Sequence, residues 1–402
     1  MKANWEYKKL SDVCRDVTDF VAAGSFADLR KNVVYNSEPD FAQLIRTTDL
    51  KRKFFNSDFV YVSKSAFDYL WRVNLDKACI VLPNVGNCGE VYYVSPKDLP
   101  YANNVLGPNS VLVRSYTENQ RFLAYAFKGN DFQAQLKSII GMVAQPKFNK
   151  TNLKNLLVPV PPMDDQQRIV AELDLLTSLI DKQNAQLKEL DTLAQSIFYD
   201  MFGDFSGTEC ALVELCRSKD DIKCGPFGTQ LSKSEYQSEG VAVWGIPQIN
   251  SHFAIAPSDY VSDEKAVALK DYSVVSGDIV MSRKGNVGQC SVFPDSFEAG
   301  IIHSDVLRLR LDYDKANSVF MMYQLHLSDS IKHQIQLVSS GAIMPGINVT
   351  KLKNIKVLVP PLTLQQSFAD KIQSIENQKA KIKASIAETQ KLLDYTMDKY
   401  FG

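Results

Sequence analysis

Pro161-Pro162-Met163-Asp164-Asp165-Gln166-Gln167 heads a long periodic stretch, and the chain repeats it as Pro360-Pro361-Leu362-Thr363-Leu364-Gln365-Gln366. The offset is 360 − 161 = 199 residues. Working outward, the same offset carries Asn149-Lys150-Thr151-Asn152-Leu153-Lys154-Asn155 onto Asn348-Val349-Thr350-Lys351-Leu352-Lys353-Asn354, and Phe202-Gly203 onto Phe401-Gly402. A long internal period means copies of one structural unit. The chain reads as a tandem duplication of a domain plus a helix.

Each Pro-Pro leads into a heptad series. In the first copy Ile169, Leu173, Leu176, Ile180, Gln183, Leu187, Leu190, Ala194 and Ile197 alternate spacings of four and three, with one polar interruption. The second copy keeps the register with Phe368, Ile372, Ile375, Lys379, Ile382, Ile386, Thr389, Leu393 and Thr396. Asp164 with Gln167, and Thr363 with Gln366, have capping-box spacing. Each helix is expected to run about 36 residues, roughly 54 Å. With the order domain, helix, domain, helix, the second helix must return alongside the first. The expected architecture is α/β: two mixed α/β domains joined by two long antiparallel helices in a coiled coil, a pseudo-two-fold tandem repeat. The expected segments are 1–160 and 204–359 for the domains, and 161–203 and 360–402 for the helices.

The domains diverge more than the helices, yet landmarks recur. Gly24-Ser25-Phe26 matches Gly225-Pro226-Phe227. The stretch from Ile80 to Gly89 matches that from Ile279 to Gly288. Short β-branched runs (Ile80–Leu82, Val111–Val113, Val241–Val243, Ile279–Met281, Val306–Leu309) read as strands. Leu123–Phe127, Leu136–Ile140, Phe320–Leu327 and Ile331–Leu337 read as helices. One skeleton with divergent surfaces suits two readers of different things.

With 402 residues, 45% apolar and 23% charged, the chain has the composition of a globular protein of two or three domains. It contains no bilayer-length apolar run and its N-terminus, Met1-Lys2-Ala3-Asn4-Trp5, has no signal-like apolar stretch, so no membrane association and a cytoplasmic location are expected. Seven irregularly spaced cysteines suggest neither a disulfide framework nor a zinc site. The net charge of −1 hides regional values of +5 (1–150), −5 (151–204), −5 (205–350) and +4 (351–402). Any nucleic-acid binding must therefore rest on local patches.

Pro-Pro followed by Gln-Gln at the start of a long helix, repeated after a globular domain, resembles the type I restriction-modification specificity subunits. Gly225-Pro226-Phe227-Gly228-Thr229-Gln230-Leu231 and the loop Arg283-Lys284-Gly285-Asn286-Val287-Gly288 look like parts of that family's target-recognition domains. The resemblance covers essentially the whole chain. It implies a non-catalytic subunit in which each domain reads one half of a bipartite, asymmetric site on double-stranded DNA. The coiled coil would set the spacing and dock two modification (methyltransferase) subunits, which restriction (helicase-nuclease) subunits join. It needs no cofactor of its own; S-adenosylmethionine and ATP belong to the partners.

The negative signs agree. The sequence has no Asn-Pro-Pro-aromatic methylation motif, no GxxxxGK[ST] loop and no Glu-x-Lys after Pro294-Asp295. His326 and His333 read as two residues of one helix, so no catalytic or metal-ligating residue is assigned. Candidate DNA contacts in the first domain are Arg30, Lys31, Arg46, Thr47, Thr48, Lys51, Arg52, Asn84 and Asn87, with Lys53 beside them. In the second they are Thr229, Gln230, Gln248, Arg283, Lys284 and Asn286. Glycines would let backbone N–H groups approach phosphate, Asn and Gln can read adenine, and Arg can read guanine. The competing reading is a duplicated coiled-coil adaptor that binds only proteins.

Overall fold

The computed structural model describes residues 5–55, 58–141, 145–340 and 346–402. Met1–Asn4, part of the N-terminal reading above, lie outside them. The chain forms two compact units, one of Met1–Asn184 with Ala384–Gly402 and one of Ala185–Lys383. The unit boundaries cut both long helices, so each unit holds the start of one helix and the end of the other. The helices run Met163–Phe202 and Leu362–Phe401, 40 residues each and about 60 Å long.

The two units share a sheet plan, with one added strand, Ser273–Val274, in the smaller sheet of the second. In the first, a four-stranded sheet is ordered Asp16–Asp19, Ser110–Arg114, Cys79–Pro83, Tyr92–Val94; in the second, Ile222–Cys224, Val306–Leu309, Ile279–Ser282, Cys290–Val292. A smaller sheet centres on Ala42–Ile45, antiparallel to Val60–Val62 and parallel to Asn104–Leu106. Its counterpart centres on Val241–Trp244, between Asp259–Val261 and Gly300–Ile302. A two-stranded ribbon (Glu6–Lys9 with Leu157–Val160; Glu209–Ala211 with Lys356–Leu358) leads into the helix.

The period-two alternation of the central strands splits the core in two. Ile80, Leu82, Val111 and Val113 join the cluster that includes Ile169 and Leu173 of the long helix, while Cys79, Val81 and Leu112 face the smaller sheet's core. In the second unit Ile279, Met281, Leu307 and Leu309 share a core with Phe198, Phe202 and Phe368, and Val280 and Val306 pack with Trp244.

Within each unit the helical segments run antiparallel. Arg168 donates to the Tyr400 hydroxyl at 3.1 Å and Gln183 to Ser385 at 2.7 Å in the first; Lys379 pairs with Asp191 at 2.8 Å in the second. Every heptad position named above, from Ile169 to Ile197 and Phe368 to Thr396, is buried or half-buried. Gln183 and Lys379, polar residues at seam positions, both bond across it.

Both helices begin before the expected cap, so Asp164 and Thr363 lie in the first turn. The repeated glutamines have another role. Gln166 is buried, accepts from the Asn119 backbone N–H at 2.9 Å and donates to Pro161 O at 2.9 Å. Gln365 repeats this with Asn317 N–H at 2.9 Å and Pro360 O at 2.7 Å. Each glutamine ties its long helix to the N-cap residue of a domain helix, Gln120–Lys128 or Ser318–Leu327. Truncation would leave buried donors and acceptors unpaired. Gln365→Ala should therefore lower stability by about 1–3 kcal/mol in urea unfolding.

His326 and His333 are not on one helix. Ser328 caps a new helix, Asp329–Leu337, by accepting from Ile331 N–H, so the two histidines sit on separate segments.

Candidate nucleic-acid interface

In the second unit, the strands Ile279–Ser282 and Cys290–Val292 are joined by the glycine loop. Gly285 and Gly288 take φ of +69° and +86°; at the same offset in the first unit, Gly86 and Gly89 take +82° and +118°. These are left-handed conformations that favour glycine. Part of the expected cradle of N–H donors is engaged within the fold. Val287 N–H bonds Gly285 O and Gly288 N–H bonds Ser282 O, while Gly86 N–H bonds Pro146 O.

In the second unit the candidate side chains converge. Arg283 lies over the Phe227 ring at 4.9 Å and its Nε donates to Ile347 O at 3.3 Å. Lys284 pairs with Asp305 at 2.8 Å. Thr229 and Gln230 are exposed on the short turn after Phe227, and the Gln230 Oε1 accepts from Tyr272 at 3.0 Å. Asn286 is exposed at the loop tip. Gln248 must be set apart. It is buried, accepts from Gly245 N–H at 3.0 Å and donates to Ala256 O at 3.1 Å. Both ends of its amide are engaged in capping the helix Ile246–Asn250, which turns it away from any partner.

The first unit shows why. Asp49, at the position equivalent to Gln248, is buried and caps the helix Thr47–Lys51 by accepting from Arg46 N–H at 2.8 Å. Its carboxylate also holds the Arg46 guanidinium, at 2.8 and 3.0 Å, and Arg46 donates onward to Asp58 O. Arg46 is therefore bound into the fold, with the hydrogen bond to Asp49 holding its pKa above the usual guanidinium value. Thr47 is half-buried and Thr48 exposed. Lys51 pairs with Glu90 at 2.6 Å, which brings that helix beside the glycine loop bearing Asn87. Arg52 and Lys53 are exposed where the helix ends. Arg30 and Lys31 lie in the last turn of the helix Phe26–Asn32, and Arg30 and Asn84 line one cavity. The aromatic rings beside these groups, Phe26 and Phe227, were not among the sequence-derived candidates, although the repeated Gly-x-Phe marks both.

The family profile for the type I restriction modification DNA specificity domain matches residues 2–191 and 221–390. The chain belongs to this family. The MjaIX specificity subunit of Methanocaldococcus jannaschii is 20% identical over 398 residues, covering 92% of this chain and 87% of the relative. The StySPI specificity subunit of Salmonella potsdam is 20% identical over 356 residues, covering 84% and 76%. The crystal structure of the type I restriction-modification S subunit of M. genitalium shares the fold, with a TM-score of 0.59 at 14% identity, over 100% of this chain and 98% of that one.

Among the described residues no group of three or more His, Cys, Asp or Glu could hold a metal ion, and no helix is long and apolar enough to cross a membrane. His326, beside the second glycine loop, accepts the Cys290 backbone N–H at its Nε2, at 3.0 Å. Burial, and secondarily His252 and Lys332, push its pKa down to about 4. The unfolded chain therefore takes up the proton first. This contribution to stability is full above about pH 6.5 and is lost as pH falls towards 4. The fall should be on the order of 2–3 kcal/mol. Urea unfolding at pH 7 and pH 4.5 measures it, and His326→Gln should flatten the slope.

Proposed function

We propose that this chain is the DNA sequence-specificity subunit of a type I restriction-modification complex, each α/β unit reading one half of a bipartite, asymmetric site. The observation that carries this reading is one framework with different side chains in equivalent seats. Asn84 and Arg283 stand at the same offset and make the same backbone bonds. Their N–H groups reach Asn109 O and Asp305 O, and their carbonyls accept from Phe148 and Ile347 N–H. Framework bonds of this kind fix where a reading residue stands, and the residue type decides which base edge it suits. An amide suits adenine and a guanidinium suits guanine.

On this reading the subunit performs no chemistry. Two modification subunits dock on the long helices and carry S-adenosylmethionine, and restriction subunits supply ATP-driven cleavage. The family match does not favour a protein-only adaptor. Exchange of residues 1–150 for the corresponding segment of another specificity subunit tests the division of labour. The methylated motif should change in one half and keep the other. A motif unchanged in both halves, or changed in both, would count against it.

A further inference from the structure

The equivalent seats of Asn84 and Arg283 are filled differently. In the second unit the Arg283 guanidinium covers the face of Phe227, which is 44% exposed. In the first unit the shorter Asn84 leaves the seat open, and Phe26 is 76% exposed. Beside it lies a cavity of about 440 Å³, walled by Phe20, Phe26, Leu29, Tyr35 and Asn84 with Arg30 also lining it. That volume is within the range of small-ligand sites.

We propose that this cavity takes a nucleobase of the first half-site, held out of its stack against Phe26. The inference rests on the specificity reading and names what one of its two sites holds. Three features define the occupant. The second unit seats a flat, N–H-bearing group on the matching ring, and a base has the same shape and donor chemistry. Among the described residues Asn84 Oδ1 is buried without a hydrogen-bond partner, so no hydrogen bond to that oxygen holds the amide in its present rotamer. Turned towards the cavity that Asn84 lines, the oxygen would accept from an exocyclic amino group, on adenine or cytosine. Arg30 supplies positive charge for the backbone that carries the base. The acidic group lining the cavity, Asp19, is already paired with Lys150 at 2.7 Å. In the second unit Arg283 itself covers the matching ring, and on this reading that unit uses the guanidinium instead.

The test is a binding cycle on the full chain in complex with its modification subunits. The probes are end-labelled duplexes bearing the methylated motif, followed by fluorescence anisotropy. One base at a time is removed across the first half-site as an abasic analogue. Phe26→Ala should weaken binding to the intact duplex about tenfold, the scale of one base–aromatic stack. Against the duplex lacking one particular adenine or cytosine it should have no further effect. Asn84→Arg, which installs the second unit's residue, should show the same coupling at that position. Asn84→Ala leaves the Phe26 helix untouched and should lose discrimination between bases there. In all three variants the response to changes in the second half-site should match the unaltered complex, which reports that they are folded. If the variants affect every abasic duplex equally, or none, while second-half reading is intact, the cavity does not hold a base. If the unaltered complex shows no sequence dependence in either half, both this proposal and the specificity reading beneath it fail.

Discussion

Phe368→Ala is expected to destabilise the unit holding Ala185–Lys383 by about 3–5 kcal/mol, the range for removing a fully buried aromatic side chain. Phe368 is fully buried at a seam position, with ring centroids of Tyr323, Phe202 and Phe198 at 5.1, 5.5 and 5.7 Å and that of Phe320 at 6.4 Å. It joins the start of one long helix, the end of the other and the domain helix Ser318–Leu327. Its loss leaves a cavity that three separate elements would have to close. Trp244 is the single tryptophan of this unit, so its fluorescence in urea reports the change. A cost below about 1 kcal/mol would mean that the aromatic cluster does not hold the helices to the domain.

Arg283→Ala should weaken binding of the complex to its cognate duplex about ten- to a hundredfold and relax the preference at one base pair of the second half-site. The first half-site should be read as before. The guanidinium is aimed by its bond to Ile347 O and by the Phe227 ring, so its planar fork is positioned before DNA arrives. Lysine cannot reproduce that fork, and Arg283→Lys should restore non-specific attraction without the base preference. Competition binding with second-half variants separates these outcomes. A uniform loss across all sequences would place Arg283 on phosphate.

How far this was legible in the sequence depends on how local the governing interactions are. The long helices were, because heptad spacing is a property of neighbouring turns; Ile169 to Ile197 and Phe368 to Thr396 lie inside as their register requires. The glycine loops were too, since the offset of 199 carries Gly86 and Gly89 onto Gly285 and Gly288. Helix starts were misplaced by a turn's detail. Gln167 and Gln366 read as local caps, whereas it is their neighbours Gln166 and Gln365 that bond, to residues 47 and 48 positions away. The candidate contacts were less legible still. Gln248 and Arg46 are residue types that suit DNA, but a buried capping position engages one and Asp49 the other. The cavity was invisible, since it needs Phe26, Asn84 and Asn109 brought together from one helix start and two strand ends.

Single-molecule methylome sequencing of cells expressing the cognate modification subunit, with and without this gene, tests the central claim most directly. The account predicts an adenine-methylated motif in two unlike parts, separated by an unread spacer, that disappears when the gene is removed. A motif that persists unchanged without the gene, with the modification subunit verified as active, would contradict it.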